Sequence, residues 1–271
     1  MRTKKKFAQH WLKSDLILDQ IIMASVIDQN DCILEIGPGT GNLTRRLLKQ
    51  AKQVISVEID RDLCKNLIKT FKEAENFLLL QEDFLECDLE NILTSFPQFH
   101  SPNKVVANIP YNITGPILEK LLGKIATPNL NPYDLIVLLV QKEVADRIVA
   151  TSKTKAFGAL TVRVQYLADA HLICDVPAKA FTPPPKVDSA VISLSPRPFP
   201  SQADNPRHLE TLVKMGFASK RKMLRNNLKS LIEIETLIEI LENLYLNPQV
   251  RAEELSVLEW VKLSNITAKY V

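Results

Sequence analysis

Five short aliphatic runs alternate with stretches of helical periodicity. The runs are Cys32–Ile36, Gln53–Glu58, Phe77–Gln81, Lys104–Ala107 and Leu135–Gln141. The helical stretches are Asn42–Gln50, Arg61–Phe71, Gly115–Leu122 and Lys142–Ala150. Short, continuously apolar runs suit strands buried on both faces, and parallel strands need a crossover between them, usually a helix. The alternation therefore predicts an α/β fold, a Rossmann-like parallel sheet with helices on both faces. A helix over Asp15–Val26, capped by Ser14, precedes the first run. Ala170–Val176 and Ala190–Leu194 flank the stiff loop Phe181-Thr-Pro-Pro-Pro-Lys186 and fit an antiparallel pair at one sheet edge. Pro196-Arg-Pro-Phe-Pro200 marks a boundary, beyond which only helical pattern remains, over Arg207–Phe217, Leu231–Leu244 and Val257–Asn265. The expected organisation is a basic arm over 1–14, a sheet domain over 15–198 and a small all-helical domain over 199–271.

Ligands of open α/β sheets bind outside the carboxyl ends of the strands. The first run ends in Leu34-Glu-Ile-Gly37-Pro-Gly39-Thr-Gly41, and glycines there let a nucleotide-like cofactor approach the backbone. Glu58 ends the second run, where an acid can accept both hydroxyls of a ribose. Asp83 follows the third run and can take hydrogen bonds from an adenine, with Phe84 as an apolar wall. The competing reading is a dinucleotide fold in which Asp83 merely caps a helix. Its pattern is Gly-x-Gly-x-x-Gly, whereas this chain has Gly-x-Gly-x-Gly and presents no dehydrogenase acid–base residue. Glu35 also reads as a strand-end acid contacting the basic arm.

Asn108-Ile109-Pro110-Tyr111 ends the fourth run. An aromatic amine is a poor nucleophile because its lone pair is delocalised into the ring. Asn108 Oδ1 and a carbonyl of Ile109 or Pro110 can accept both amine protons and draw the nitrogen toward tetrahedral geometry. Tyr111 can stack on the base, and Phe181 can supply a second aromatic face. Two plainer readings stand beside these: a turn capping the next helix with Tyr111 in the core, and Phe181 packed beside the proline loop. Taken with the upstream cofactor segments, the residues point to methyl transfer from S-adenosyl-L-methionine to the exocyclic amine of a nucleobase.

The net charge of +3 is mild, and 46% hydrophobic with 24% charged residues is ordinary for a globular chain. The charge is segregated, however. Lys4, Lys5 and Lys6 lie in an arm without acids, and Lys220, Arg221, Lys222 and Arg225 cluster ahead of an acidic stretch. Such segregation suits a polyanionic partner. The four cysteines form no CxxC and the four histidines show no ligand spacing, so neither disulfides nor a metal site is expected. No apolar run reaches the ~20 residues of a membrane span. No secretory signal is seen, and a cytoplasmic protein is expected.

With these motifs in place, the chain resembles the small-subunit ribosomal RNA adenine dimethyltransferases of the KsgA type. The resemblance rests on Lys5-Lys-Phe-Ala-Gln-His-Trp-Leu12, the glycine loop, Val57-Glu-Ile-Asp60, Glu82-Asp83 and Asn108-Ile-Pro-Tyr-Asn-Ile-Thr114. It continues through Val140-Gln-Lys-Glu-Val-Ala-Asp-Arg147, Phe181-Thr-Pro-Pro-Pro-Lys-Val-Asp-Ser189 and Phe217-Ala-Ser-Lys-Arg-Lys-Met-Leu-Arg-Asn226. It implies a class I methyltransferase sheet and cofactor contacts from His10, Leu12, Gly37, Glu58, Asp83 and Asn108. Family members often carry Asn where this chain has His10, and Leu and Ser where it has Ile109 and Thr114. The implied activity is dimethylation of N6 of two adjacent adenosines in a hairpin near the 3′ end of small-subunit ribosomal RNA. The expected substrate is a partly assembled small subunit, met by a monomer. Related large-subunit enzymes of antibiotic resistance share the Asn-Ile-Pro-Tyr segment and the aromatic-proline loop. A non-catalytic RNA-binding assembly factor is the contrasting class.

Overall fold

The computed structural model describes residues 10–270. Its strands are β1 (Trp11–Leu12), β2 (Cys32–Ile36), β3 (Gln53–Val57), β4 (Phe77–Leu80), β5 (Lys104–Asn108), β6 (Leu135–Gln141), β7 (Ala168–Val176), β8 (Phe181–Thr182) and β9 (Ser189–Pro196). Its helices are α1 (Asp15–Ala24), α2 (Thr44–Leu47), α3 (Arg61–Thr70), α4 (Leu89–Leu93), α5 (Thr114–Leu122), α6 (Lys142–Ile148), α7 (Ala159–Leu167), α8 (Pro206–Gly216), α9 (Leu224–Leu228), α10 (Ile234–Asn243) and α11 (Val257–Thr267).

Seven strands form one sheet in the order β4-β3-β2-β5-β6-β9-β7. The pairs β2–β3, β3–β4, β2–β5 and β5–β6 are parallel, and β6–β9 is antiparallel. The aliphatic runs are therefore the parallel strands expected of them. All five residues of β2 are buried, and Ile33, Leu34, Ile55, Val106 and Val137 have no exposed surface. At the amino edge of this sheet, Lys104 pairs with Asp31 at 2.8 Å. Asn103 donates to the same carboxylate at 2.8 Å and accepts from the Cys32 N–H at 2.9 Å. The starts of β2 and β5 are thereby pinned together.

Two local expectations change. The helix expected over Asn42–Gln50 is regular only over Thr44–Leu47. On either side the chain tightens to i→i+3 bonds, such as Arg46 N–H to Leu43 O at 2.8 Å and Lys49 N–H to Arg46 O at 3.2 Å. A second, two-stranded sheet also forms, with β1 antiparallel to β8 through Trp11–Thr182 and Leu12–Phe181. Ser14 caps α1 as expected, accepting the Ile17 N–H.

The chain divides into two compact units. One takes in the chain up to Leu121, then Asn131–Ala145 and His171–Pro196; the other takes in Leu122–Leu130, Asp146–Ala170 and Arg197 onward. The helical unit thus recruits α7 and a short connector that a contiguous boundary near residue 198 leaves with the sheet. Inside this unit α7, α8, α9, α10 and α11 surround Trp260, which is fully buried together with Leu212, Leu224, Leu237 and Leu263. Among the described residues, no helix is long and apolar enough to cross a membrane.

Gly216, the last residue of α8, lies against the Trp260 ring, and a Cβ there would also come within 3.1 Å of Leu224 Cδ1. Gly216→Ala gains helix propensity but overpacks this centre, a fault that costs about 1–3 kcal/mol. A net loss of stability in denaturant titration is expected, and an unchanged or raised midpoint would contradict this packing.

Candidate active site

The carboxyl ends of β2, β3, β4 and β5 open into a cavity of about 250 Å³. The glycine loop forms its floor. Gly37 N–H continues the ladder to Val57 O at 2.9 Å, which sets the loop beside the end of β3. Gly39 has φ +58°, and a Cβ there would come within 3.3 Å of Trp11 Cδ1. Glycine therefore lets β1 close down over the loop. Gly41, expected to contact a cofactor, does not line the cavity. Its φ is +81° and a Cβ would come within 2.6 Å of Phe71 Cε2, so it is glycine in order to pack the loop against α3.

Glu58 follows β3 and lines the cavity. Its carboxylate accepts the Asp60 N–H at 2.9 Å and the Gly39 N–H at 3.4 Å, and burial raises its pKa. Asp83 is fixed by accepting the Leu85 N–H at 2.9 Å, with Phe84 beside it on the wall. Glu35 projects from β2, buried, with its pKa pushed up to about 7 by loss of solvent. One of its oxygens accepts from Thr44 Oγ1 and Ser56 Oγ, both at 2.7 Å. Its other oxygen has no partner among the described residues. Glu35 is thus a cavity wall and part of the core, and its structural partners are two hydroxyls.

Asn108, Ile109, Pro110 and Tyr111 line the opposite side. The Asn108 amide donates to His10 O at 3.4 Å, which leaves Oδ1 as its acceptor. Tyr111 OH shares a hydrogen bond with Ser189 Oγ at 2.5 Å, which fixes the ring at the start of β9. The His10 ring lies 6.0 Å from the Tyr111 ring at an interplanar angle of 17°, and His10 Nδ1 bonds Pro183 O at 2.8 Å. Leu12 O accepts from the Asn42 amide at 2.9 Å. His10, Trp11 and Leu12 all line the cavity, so β1 is one of its walls.

Phe181 is a correction. It is 3% exposed, pairs with Leu12 across β1–β8 and belongs to the apolar core beside Val176 and Val191. It does not line the cavity and presents no second aromatic face to it. Its role here is the plainer one, packing beside the proline loop. Sequence reasoning missed Trp11, Asn42 and Ser189. Each is adjacent to or within a quoted motif, but its partner lies far away in the chain.

Lys220, Arg221 and Lys222 are exposed between α8 and α9, and Arg225 is half-buried in α9. Lys4, Lys5 and Lys6 lie outside the described residues.

Comparison with known proteins gives one answer. Residues 1–269 match the family described as "Ribosomal RNA adenine dimethylase". This chain belongs to that family. It is 61% identical over 266 residues to the "Ribosomal RNA small subunit methyltransferase A" of Nostoc sp., covering 98% of both chains. It is similar to the crystal structure of a dimethyladenosine transferase from Plasmodium falciparum, with a TM-score of 0.79, 28% identity, and 96% and 98% of the two chains covered. The 23S rRNA methyltransferase ErmE shares the fold at a TM-score of 0.72 and 24% identity, over 95% of this chain and 99% of that one. The fold class expected from the alternation, a Rossmann-like methyltransferase sheet, is thereby met.

The raised pKa of Glu35 has a stability consequence. Its ordinary value is 4.5 and its folded value about 7, so the protonated form favours the fold. That stabilisation is complete below about pH 4.5 and is lost as pH rises through 7. Glu35→Gln removes the titration, so its stability relative to the parent should rise between pH 5 and pH 8, by at most about 3 kcal/mol. Parallel pH profiles for the two proteins in thermal melts would contradict it.

Proposed function

We propose that this cavity binds S-adenosyl-L-methionine and presents its methyl group to N6 of adenosines in small-subunit ribosomal RNA. The observation that carries the reading is the charge of the wall. Glu35, Glu58, Glu82 and Asp83 line the cavity, and among the described residues no lysine or arginine does. An acidic, partly dry wall favours a cofactor bearing a sulfonium and an ammonium over one bearing a pyrophosphate. The donors of the cofactor also match the acceptors present. Glu58 would take the ribose hydroxyls, Asp83 the adenine amine, and Phe84 the face of the adenine. Leu12, Gly37, Gly39 and His10 would close around the rest, with the unpartnered Glu35 oxygen on the same wall.

The bound cofactor supplies an electrophilic methyl group. The chain's own residues prepare the nucleophile. Asn108 Oδ1 and a carbonyl of Ile109 or Pro110 accept the two amine protons, and Tyr111, held by Ser189, stacks on the base. These interactions direct the nitrogen lone pair at the methyl position, and such positioning supplies much of the acceleration. The methylated ammonium is acidic, so its proton leaves to water and no side chain need act as a strong base. Two rounds on each of two adjacent adenosines give the dimethylated hairpin. We further propose that the protein acts as a monomer and that its substrate is a partly assembled small subunit. A large-subunit specificity of the resistance type rests here on likeness of fold alone.

Asn108→Ala should nearly abolish methyl transfer to unmethylated small subunits while RNA binding survives. Single-turnover transfer of radiolabelled methyl at saturating cofactor measures this, and a near-parental rate would remove Asn108 from the reaction.

The basic cluster of the helical unit is the proposed phosphate-binding surface. Removing one phosphate-bound cation should flatten the log–log salt dependence of binding by about one unit. Arg221→Ala, Lys222→Ala and Arg225→Ala combined should bind small subunits more weakly and with a shallower slope. Equal slopes for variant and parent would take the cluster out of the RNA footprint.

A further inference from the structure

Asp83 and Phe84 stand on a loop between β4 and α4, beyond the last paired residue of β4. The loop's internal bonds are few. Asp83 Oδ1 takes the Leu85 N–H, and Asp83 O takes the N–H groups of Glu86 at 3.1 Å and Cys87 at 2.8 Å. The carbonyls of Phe84, Leu85 and Cys87 converge on one point. Lys120 Nζ occupies that point, donating to them at 2.6, 3.1 and 2.6 Å. The same nitrogen lies 5.0 Å from the centroid of the Phe84 ring. An ammonium has three N–H donors, and here each has a carbonyl. Hydrogen bonds to a charged donor are stronger than neutral ones, and three from one atom fix three carbonyls of one loop.

Lys120 is an exposed residue, and a freely solvated lysine would leave these carbonyls to water. Lys120 instead acts as the cation of a small carbonyl cradle. Its helix, α5, begins three residues after Tyr111, at Thr114. The cradle therefore joins the loop bearing Asp83 and Phe84 to the helix that follows Asn108-Ile-Pro-Tyr111.

We propose that Lys120 is a positioning residue for the adenine end of the cofactor site, holding Asp83 and Phe84 in place through the backbone between them and α4. The inference rests on the adenine reading of those two residues given above. The loop geometry, set by the ammonium, should govern affinity for any adenine-bearing ligand. It should leave the methyl-transfer step at saturating cofactor unchanged, because Lys120 does not line the cavity. Arginine is a poor substitute, since its planar fork cannot surround one point with three donors.

The test is calorimetry on Lys120→Ala with two ligands, S-adenosylhomocysteine and 5′-deoxy-5′-methylthioadenosine, which lacks the amino-acid end. Both dissociation constants should rise by about tenfold, and by equal factors, with the maximal transfer rate preserved. Propylammonium chloride, which replaces the deleted atoms, should restore part of the affinity, and sodium chloride at the same ionic strength should not. Parental affinity for both ligands in a folded Ala variant would overturn the proposal. So would a loss confined to S-adenosylhomocysteine. If the Ala variant does not fold, Lys120→Arg decides: weakened binding of both ligands at an unchanged melting temperature supports the cradle, and parental binding refutes it. Failure of the parent protein itself to bind either ligand would instead overturn the cofactor reading on which the inference stands.

Discussion

Ile36 pairs with Val57 across β2 and β3, and Leu34 with Val105 across β2 and β5. These parallel registers make the chain leave three neighbouring strands at the same edge. The glycine loop, Glu58 and Asn108 then stand side by side although they are spread over some 70 residues of sequence. The register is held from both ends. Lys104, Asp31 and Asn103 pin the amino edge, and the Gly37 N–H to Val57 O bond extends the ladder past the carboxyl edge. A slip of one residue would turn each strand over and send its core side chains to the opposite face.

On that frame the site is closed by small, cross-chain polar contacts. β1 is only two residues long, too short to hold itself. It is kept on the cavity by pairing with β8, by the Asn42 amide on Leu12 O and by the His10 ring on Pro183 O. Tyr111 depends in the same way on Ser189, and the loop bearing Asp83 and Phe84 on Lys120. The acidic wall has a cost as well as a use. Glu35 and Glu58 both have raised pKa values because burial disfavours their charged forms. Among the described residues neither has a lysine or arginine beside it on the cavity wall, which suits a site meant to receive positive charge from a ligand.

The strands of the parallel sheet were legible because strands buried on both faces are mostly apolar, as β6 is from Leu135 to Val140. The motifs at their ends were legible because each is local in sequence. Helix α7 was not, since its Thr161, Val162, Val164, Tyr166 and Leu167 are all buried and leave no polar stripe to give a period. Neither were β1 and β8, whose two-residue pairing has no periodicity to read. Gly41 and Phe181 show the limit of motif reasoning. Both belong to segments that shape the cavity, yet Gly41 packs on Phe71 and Phe181 packs in the core. A motif marks the segment, and only the fold decides which of its side chains face the ligand.

The central claim is that the ends of successive parallel strands form one cofactor site, with Glu58 on the ribose and Asp83 on the adenine. A crystal structure with S-adenosylhomocysteine bound tests it most directly. The account predicts both ribose hydroxyls within hydrogen-bonding distance of the Glu58 carboxylate, about 2.6–3.2 Å, and the adenine amine on Asp83 beside Phe84. A ligand seated elsewhere, or one in this cavity with its ribose turned away from Glu58, would contradict it.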